Sequence, residues 1–235
     1  EVVNTHGRTR LSFASQADIE EFVATLDKYE RGDITPDQWR TFRLVRGTYG
    51  QRQSIDAQML RVKVPQGVLS SAQLHALADV GEKYSRRFGH ITTRQNIQFH
   101  FVKLHDVELA MRILAEAGLT TREACGNSVR NITTCPHAGV GIDEVFDVTP
   151  YAEATTRFLL RHRLTSTLPR KFKISFEGCP DDHIALAIND LAFHAQVDAA
   201  GVRGFRVSAG GGTAIMCKTA GLLHDFLPVT ELFRD

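Results

Sequence analysis

The sequence predicts an α+β fold, and three observations carry that prediction. Helical and strand periodicities alternate along the 235 residues instead of segregating. Residues 53 to 120 read in order β-α-β-α, a unit that lays helices on one face of a small sheet. From Thr121 to Gly141 both periods vanish in a stretch rich in Gly, Asn, Thr and Cys, and strands and a helix resume after it. Irregular segments of that length more often serve a function than a packing need.

The first 52 residues form a helical extension. Ser15 is placed to cap a helix over Ala17 to Tyr29, and Thr35-Pro36 starts a second with proline at its first position. Ala57 to Val64 alternates apolar and polar residues as a half-buried strand does, and Pro65-Gln66-Gly67 ends it. Ser70 or Ser71 then caps a helix whose Leu74, Leu77, Gly81, Tyr84 and Phe88 share the core face, with Gly89 closing it. His90 to Thr93 and Gln95 to Lys103 are strands, the second turning Ile97, Phe99 and Phe101 inward against Gln98 and His100. Asp106 caps a helix striped by Val107, Ala110, Met111, Leu114 and Ala117, and Gly118 ends it. Beyond Gly141, Tyr151 to Arg163 is helical, and Lys171 to Phe176, Leu191 to Gln196 and Gly204 to Ser208 are strands. Gly210-Gly211-Gly212 follows, a helix starts near Thr219, and another starts within Leu227 to Asp235.

Composition narrows the function classes. The formal net charge is +1, so no global field argues for nucleic acid or a membrane surface, and an anion site has to come from local clusters of Arg and Lys. No apolar run reaches bilayer length and no signal-peptide pattern opens the chain, which gives a cytoplasmic expectation. Cys125, Cys135, Cys179 and Cys217 are irregularly spaced in a chain too long to need disulfides, so reduced thiols are expected.

Basic residues cluster beside turns: Arg61 with Lys63, Arg94 with Gln95, Arg170-Lys171-Phe172-Lys173, and Arg130. Residues two apart in a strand share a face, so Arg61 and Lys63 point together, as do Lys171 and Lys173. Like charges side by side repel unless an anion or solvent screens them, although a Lys-x-Lys also protects an edge strand from aggregation. Arg offers a planar fork to carboxylates and Lys a mobile charge and proton donor, a combination suited to a polycarboxylate cofactor beside a small oxyanion. Gly210 to Gly212 would let backbone N–H groups approach an anion or a flat ring, or would simply turn the chain; their spacing is neither the dinucleotide nor the P-loop pattern. Cys125, Cys135 and His137 are able to converge on zinc, but no C-x-x-C accompanies them. The β-α-β-α unit also admits an RNA-binding module, against which the RNP1 pattern is missing.

Five blocks in order carry a resemblance: Leu60-Arg61-Val62-Lys63-Val64-Pro65, Thr92-Thr93-Arg94-Gln95-Asn96-Ile97-Gln98-Phe99-His100, Val129-Arg130-Asn131, Leu168-Pro169-Arg170-Lys171-Phe172-Lys173 and Gly210-Gly211-Gly212. Over about residues 38 to 235 the chain resembles the N-terminal half of siroheme-dependent sulfite and nitrite reductases, closest to the assimilatory sulfite reductase hemoprotein. The resemblance implies a ferredoxin-like half-domain at 53–120 followed by the first siroheme-binding α/β domain at 121–235, with the second repeat expected outside this chain. It implies six-electron reduction of sulfite to sulfide, or of nitrite to ammonia, at a siroheme coupled to a [4Fe-4S] cluster, with ferredoxin or a flavoprotein reductase as electron donor. Nucleic acid and membrane are not expected partners.

By position, the resemblance gives Arg61, Arg130, Lys171 and Lys173 the substrate oxyanion. Lys63, Arg94, Gln98 and Arg170 take the siroheme carboxylates, with His90, Thr92, Asn131, Gly210, Gly211 and Gly212 as further cofactor contacts. Lys173 as the second Lys of a Lys-x-Lys pair favours sulfite over nitrite. Tyr49-Gly50-Gln51-Arg52 and Cys125 resemble a pair that forms a Tyr–Cys thioether in some ferredoxin-dependent members. The family's cluster ligands, spaced C-x5-C and C-x3-C, do not match the four cysteine spacings, so no metal ligand is expected in this chain. A non-catalytic assembly fragment is the remaining alternative.

Overall fold

A computed structural model describes residues 2–3, 9–53 and 56–234. The chain divides into two compact units. The first comprises Glu1–Val64, Val68–Ser128 and Leu160–Lys171; the second comprises Pro65–Gly67, Val129–Leu159 and Phe172–Asp235.

In the first unit, a two-residue ladder pairs β1 (Val2–Val3) with β2 (Thr9–Arg10), and two helices follow. Helix α1 (Gln16–Glu30) buries Ile19, Phe22 and Leu26. Helix α2 (Pro36–Val45) starts from a reciprocal capping box, in which Thr35 accepts from the Gln38 amide while the Gln38 side chain accepts from the Thr35 amide. Four antiparallel strands come next in sheet order β3-β4-β6-β5: β3 (Thr48–Gly50), β4 (Ala57–Val62), β5 (His90–Ile91) and β6 (Ile97–Lys103). Between β4 and β5 lies α3 (Ser71–Tyr84), begun by a second capping box from Ser70 and Gln73, and after β6 lies α4 (Asp106–Glu116). One core joins all of this: Phe22 and Trp39 of the leading helices pack in the same cluster as Leu60, Val62, Val80, Phe99, Val102 and Leu114. The N-terminal helices thus share the core of the β-α-β-α unit.

Three expectations for this unit need correction. Helix α3 ends at Tyr84, so Phe88 lies outside it and is exposed, as is Leu74; the buried face is Gln73, Leu77, Val80 and Gly81. Asp106 is the first helical residue of α4, and the cap position belongs to His105, which makes no side-chain cap bond. Strand β6 does not keep its alternation. Phe101 adopts φ 61°, and the pairing with β4 slips between Gln58 and Leu60, a bulge that turns Val102 into the core in place of Phe101. Phe101 lies instead beneath the Arg86 guanidinium, 3.5 Å from its ring centre.

The second unit is a five-stranded mixed sheet, β7 (Thr133–Thr134), β8 (Ile174–Glu177), β9 (Leu191–Val197), β10 (Arg203–Ala209) and β11 (Gly221–Pro228), in that spatial order. The pairs β7–β8 and β8–β9 are parallel and the remaining two antiparallel. Parallel neighbours need a crossover, and α5 (Thr149–Leu159) supplies the one between β7 and β8. Phe176 stacks on Phe193 at 4.5 Å, and Phe205 meets both edge-to-face with Phe146 and Tyr151 beside it. The helix expected near Thr219 is strand β11, whose antiparallel pairing with β10, running from Gly221 to Pro228 through two register shifts, overrides the local helical pattern. After Pro228 only a 3-10 turn, Val229–Glu231, forms where another helix was expected, and Asp235 lies outside the described residues. Lys171 and Lys173 precede β8, so the shared strand face argued for them does not exist; Phe172 makes a single bridge to Val129.

Candidate functional site

Both units carry candidate residues. In the first, the register sets Arg61 of β4 opposite Gln98 of β6, and Gln98 opposite His90 of β5. Residues directly opposite share a sheet face, so the three form one row across three strands. With its amide oxygen turned toward β4, Gln98 accepts from Arg61 Nε at 2.9 Å and Nη2 at 2.5 Å, while Arg61 Nη1 donates to the Ala124 carbonyl at 3.3 Å. The guanidinium is thereby held in one orientation. His100 stacks near His90 with ring centres 6.0 Å apart. Burial, and then the proximity of His90 and Arg61, hold its imidazole below the usual histidine value. Gln51, known from the sequence only as part of the Tyr49–Arg52 motif, fixes this ring and the bulge together: its Nε2 lies 3.3 Å from His100 Nδ1, and its Oε1 accepts from the Phe101 amide at 2.6 Å.

Arg94 sits in the tight turn joining β5 to β6. The Thr92 hydroxyl accepts from the amides of Arg94 at 3.3 Å and Asn96 at 3.1 Å, and Gln95 takes a left-handed conformation at φ 57°. Thr92 is therefore engaged in building the turn that presents Arg94. Lys63 is buried, with its amide on the Thr120 carbonyl at 2.8 Å. Arg170 and Lys171 are exposed, on a segment tied to Asn127 by the Leu168 amide at 2.8 Å. Tyr49 is half-exposed and lines an open pocket with Arg43, Arg52 and Gly126; Cys125, the neighbour of Gly126, is buried.

In the second unit, Val129 and Phe172 bridge in parallel and the Arg130 amide donates to the Phe172 carbonyl at 2.8 Å. This register sets Arg130 beside Lys173, whose own amide is fixed by Asp190 Oδ2 at 2.7 Å. Asn131 is fully buried next to them. The glycine triplet does not present amides to a ligand. Gly210, Gly211 and Gly212 donate to the carbonyls of Asp190, Asn189 and Lys218 at 2.9, 3.0 and 2.9 Å. A methyl group on Gly211 would meet the Ala187 carbonyl oxygen at 2.4 Å, whereas nothing lies within 4 Å of one on Gly212. A methyl group on Gly210 would likewise meet nothing within 4 Å.

One group was invisible to cysteine spacing alone. Cys135 and His137 follow β7, Cys179 and His183 follow β8, and one ligand atom from each lies within 4.8 Å of all the others. The sulfurs of Cys135 and Cys179 are 3.7 Å apart, and Cys135 Sγ is 3.4 Å from His183 Nδ1. Both thiols are buried, and burial raises both above the ordinary cysteine value. Fully buried Glu177 organises the loop by accepting from the amides of Cys179 at 3.0 Å and His183 at 2.8 Å. A potential metal-ligand set thus lies within this chain, with Cys179 and His183 replacing the Cys125 of the sequence expectation. The local signals were Cys135-Pro136-His137 and Cys179-Pro180-Asp181-Asp182-His183, two short Cys/His pairs.

Comparison with known proteins follows the same division. Residues 49–117 match the nitrite/sulfite reductase ferredoxin-like half domain, and residues 125–233 match the nitrite and sulphite reductase 4Fe-4S domain. A ferredoxin–nitrite reductase of Leptolyngbya laminosa is 38% identical over 166 residues, covering 65% of this chain and 31% of the relative. A ferredoxin sulfite reductase of Mycobacterium tuberculosis is 33% identical over 187 residues, covering 75% and 33%. The chain therefore spans about a third of the length of these curated relatives. The solved structure of the Mycobacterium tuberculosis NirA protein superposes with a TM-score of 0.79 at 29% identity, over 92% of this chain and 44% of that one. Dissimilatory sulfite reductase I, at 13% identity and a TM-score of 0.65, shares the fold.

Proposed function

The chain belongs to the nitrite and sulfite reductase family, and from that premise we propose that it forms the part of an assimilatory sulfite reductase that holds the substrate oxyanion and the carboxylates of a siroheme. The observation that supports this reading is the Val129–Phe172 bridge, whose parallel register brings the backbones of Arg130 and Lys173, two cations of different chemistry, next to each other. Such a pair is suited to an oxyanion whose oxygens must be both neutralised and protonated.

The donor chemistry fits a polycarboxylate macrocycle. Gln98 and His90, opposite each other across β5 and β6, with Arg94 on the adjoining turn, offer amide, imidazole and guanidinium groups to carboxylates. When bound, the siroheme supplies the redox centre for a six-electron reduction. Arg94, Lys63, Gln98 and Arg170 would hold its carboxylates in this reading, with His90, Thr92, Asn131 and Gly212 as supporting contacts. Arg61, Arg130, Lys171 and Lys173 offset the charge of the anion. The Lys171 and Lys173 ammonium groups also deliver protons to each departing oxygen, which leaves as water. The Cys135–His137–Cys179–His183 group does not fit a [4Fe-4S] cubane. A cubane binds its four ligands through four separate irons and spreads them apart, whereas these donors crowd within 4.8 Å. The cluster expected of the family has no role assigned to residues of this chain.

Sulfite is the proposed substrate because Lys173 completes a Lys-x-Lys pair. Ferredoxin is the proposed electron donor, in line with the names of the relatives, and a cytoplasmic address remains a proposal from the sequence alone. Among the described residues, no helix is long and apolar enough to cross a membrane. Nitrite is the second reading, favoured by the 38% identity to a nitrite reductase. Steady-state kinetics of the full-length protein with both anions test the choice. Lys173→Asn is expected to lower kcat/KM for sulfite by about 100-fold, the usual loss for one charge-stabilising donor, and that for nitrite far less. Equal losses would remove Lys173 from substrate choice, and a wild-type preference for nitrite would replace sulfite as substrate.

A further inference from the structure

We propose that Cys135, His137, Cys179 and His183 bind a single zinc ion that clamps the carboxyl end of β7 to the loop after β8. A tetrahedral zinc with bonds of about 2.3 Å to sulfur and about 2.05 Å to nitrogen sets its ligand atoms about 3.8 Å apart for two sulfurs and about 3.5 Å apart for sulfur and nitrogen. The Cys135–Cys179 separation is 3.7 Å and the Cys135–His183 separation 3.4 Å, which match two of the six edges of such a tetrahedron, and the other pairs lie within 4.8 Å. The set is two thiols and two imidazoles, the donor mixture that selects zinc over magnesium or calcium.

The surroundings are those of a built site. Cys135 directly follows β7 and its amide donates to the Phe176 carbonyl of β8 at 3.0 Å, so the parallel register fixes one thiol against the other strand. The His137 amide donates to Cys135 Sγ at 3.3 Å, a bond that stabilises a thiolate. Glu177 holds the backbone of both Cys179 and His183, and the Cys179 carbonyl lies 2.8 Å from His194 Nε2. Ligands held by such outer contacts keep their geometry. Gly141 closes the pocket: a methyl group there would lie 3.4 Å from His137 Cβ and 3.5 Å from Cys179 Sγ, so any larger side chain would crowd the ligands. The thiols are buried and the imidazoles exposed, so the ion has an entry path, and four protein ligands leave no open position for substrate. The role is structural.

Metal analysis of the full-length protein tests this independently of activity and of siroheme content. The expected result is one zinc per chain that survives dialysis, with an X-ray absorption shell of two sulfurs near about 2.3 Å and two nitrogens near about 2.0 Å. Because both histidines are exposed, the double variant His137→Ala/His183→Ala should fold and keep its siroheme, yet lose at least tenfold in zinc content after dialysis against a chelator. His224→Ala, altering an exposed histidine on β11, should retain the metal. Wild-type protein without zinc would overturn the proposal. So would zinc that persists in the double variant, copper or a sulfide-bridged iron centre bound by these four residues, or a recovered Cys135–Cys179 disulfide peptide.

Discussion

Replacing Gly47 by alanine separates two physical effects that the structure places at one residue. Gly47 has φ +77°, and a methyl group on it would stand 2.6 Å from the carbonyl oxygens of both Arg61 and Thr121. The left-handed conformation alone costs an L-residue about 1–2 kcal/mol. Forcing a carbon against two backbone oxygens that cannot rotate away adds about 1–3 kcal/mol of overpacking. Gly32 supplies the control, since its φ is +80° and nothing lies within 4 Å of an added methyl. Gly32→Ala should therefore lose about 1 kcal/mol and Gly47→Ala about 3 kcal/mol, measured as shifts in a cooperative denaturant transition. At roughly 2–4 °C per kcal/mol for a chain of this size, the melting temperatures should differ by about 4–8 °C. A functional readout accompanies the structural one. The Arg61 amide donates to the Gly47 carbonyl at 2.8 Å, so displacing residue 47 shifts the strand that carries Arg61 and should raise KM for the anion. Equal destabilisation by the two substitutions would refute the steric reasoning.

Other expectations are equally concrete. Arg61→Lys loses the fork that grips Gln98, and anion affinity in the full-length protein should fall about tenfold or more while thermal stability changes little; unchanged affinity would take Arg61 out of the site. Glu177→Gln leaves one acceptor oxygen for the two amides of Cys179 and His183 and turns an NH2 group toward the other, and should destabilise the protein by about 1–3 kcal/mol in chemical unfolding. The Glu144 carboxyl is raised by burial, so the native state holds its proton more tightly than the unfolded chain does. Its stabilising contribution is complete below the ordinary glutamate value and is lost as pH rises through the elevated native one. Melting temperatures of Glu144→Gln should accordingly lack that part of the fall, and parallel pH profiles for the two proteins would contradict it. Peptide mapping should recover Tyr49 and Cys125 as one crosslinked species; both residues recovered unmodified would exclude the thioether.

The helices were legible where caps announce them. Thr35-Pro36 and Ser70 both sit in reciprocal capping boxes that the sequence spells out three residues apart. Strand β4 was legible as a strand, but not its burial: the alternation suggested one exposed face, whereas every residue of it except Arg61 is buried. The alternation of β6 misled because a left-handed Phe101 exchanges inside for outside, and no local signal marks a bulge built from a phenylalanine. Strand β11 was hidden since its structure comes from a partner strand, not from its own period. The glycine triplet was legible as a special turn but not in its purpose: Gly211 is required by the Ala187 and Asn189 carbonyls, and all three amides serve the chain itself. The Cys/His group stayed hidden for a topological reason. Its halves follow two parallel strands joined through α5, and only that crossover makes them neighbours.

The claim that this chain holds a siroheme and an oxyanion is tested most directly by purifying the full-length protein and measuring its cofactor and its product together. One siroheme per chain by native mass spectrometry and absorbance, with sulfide released from sulfite under a ferredoxin-type reductant, is the predicted result. A folded full-length protein that takes up no siroheme would contradict the account.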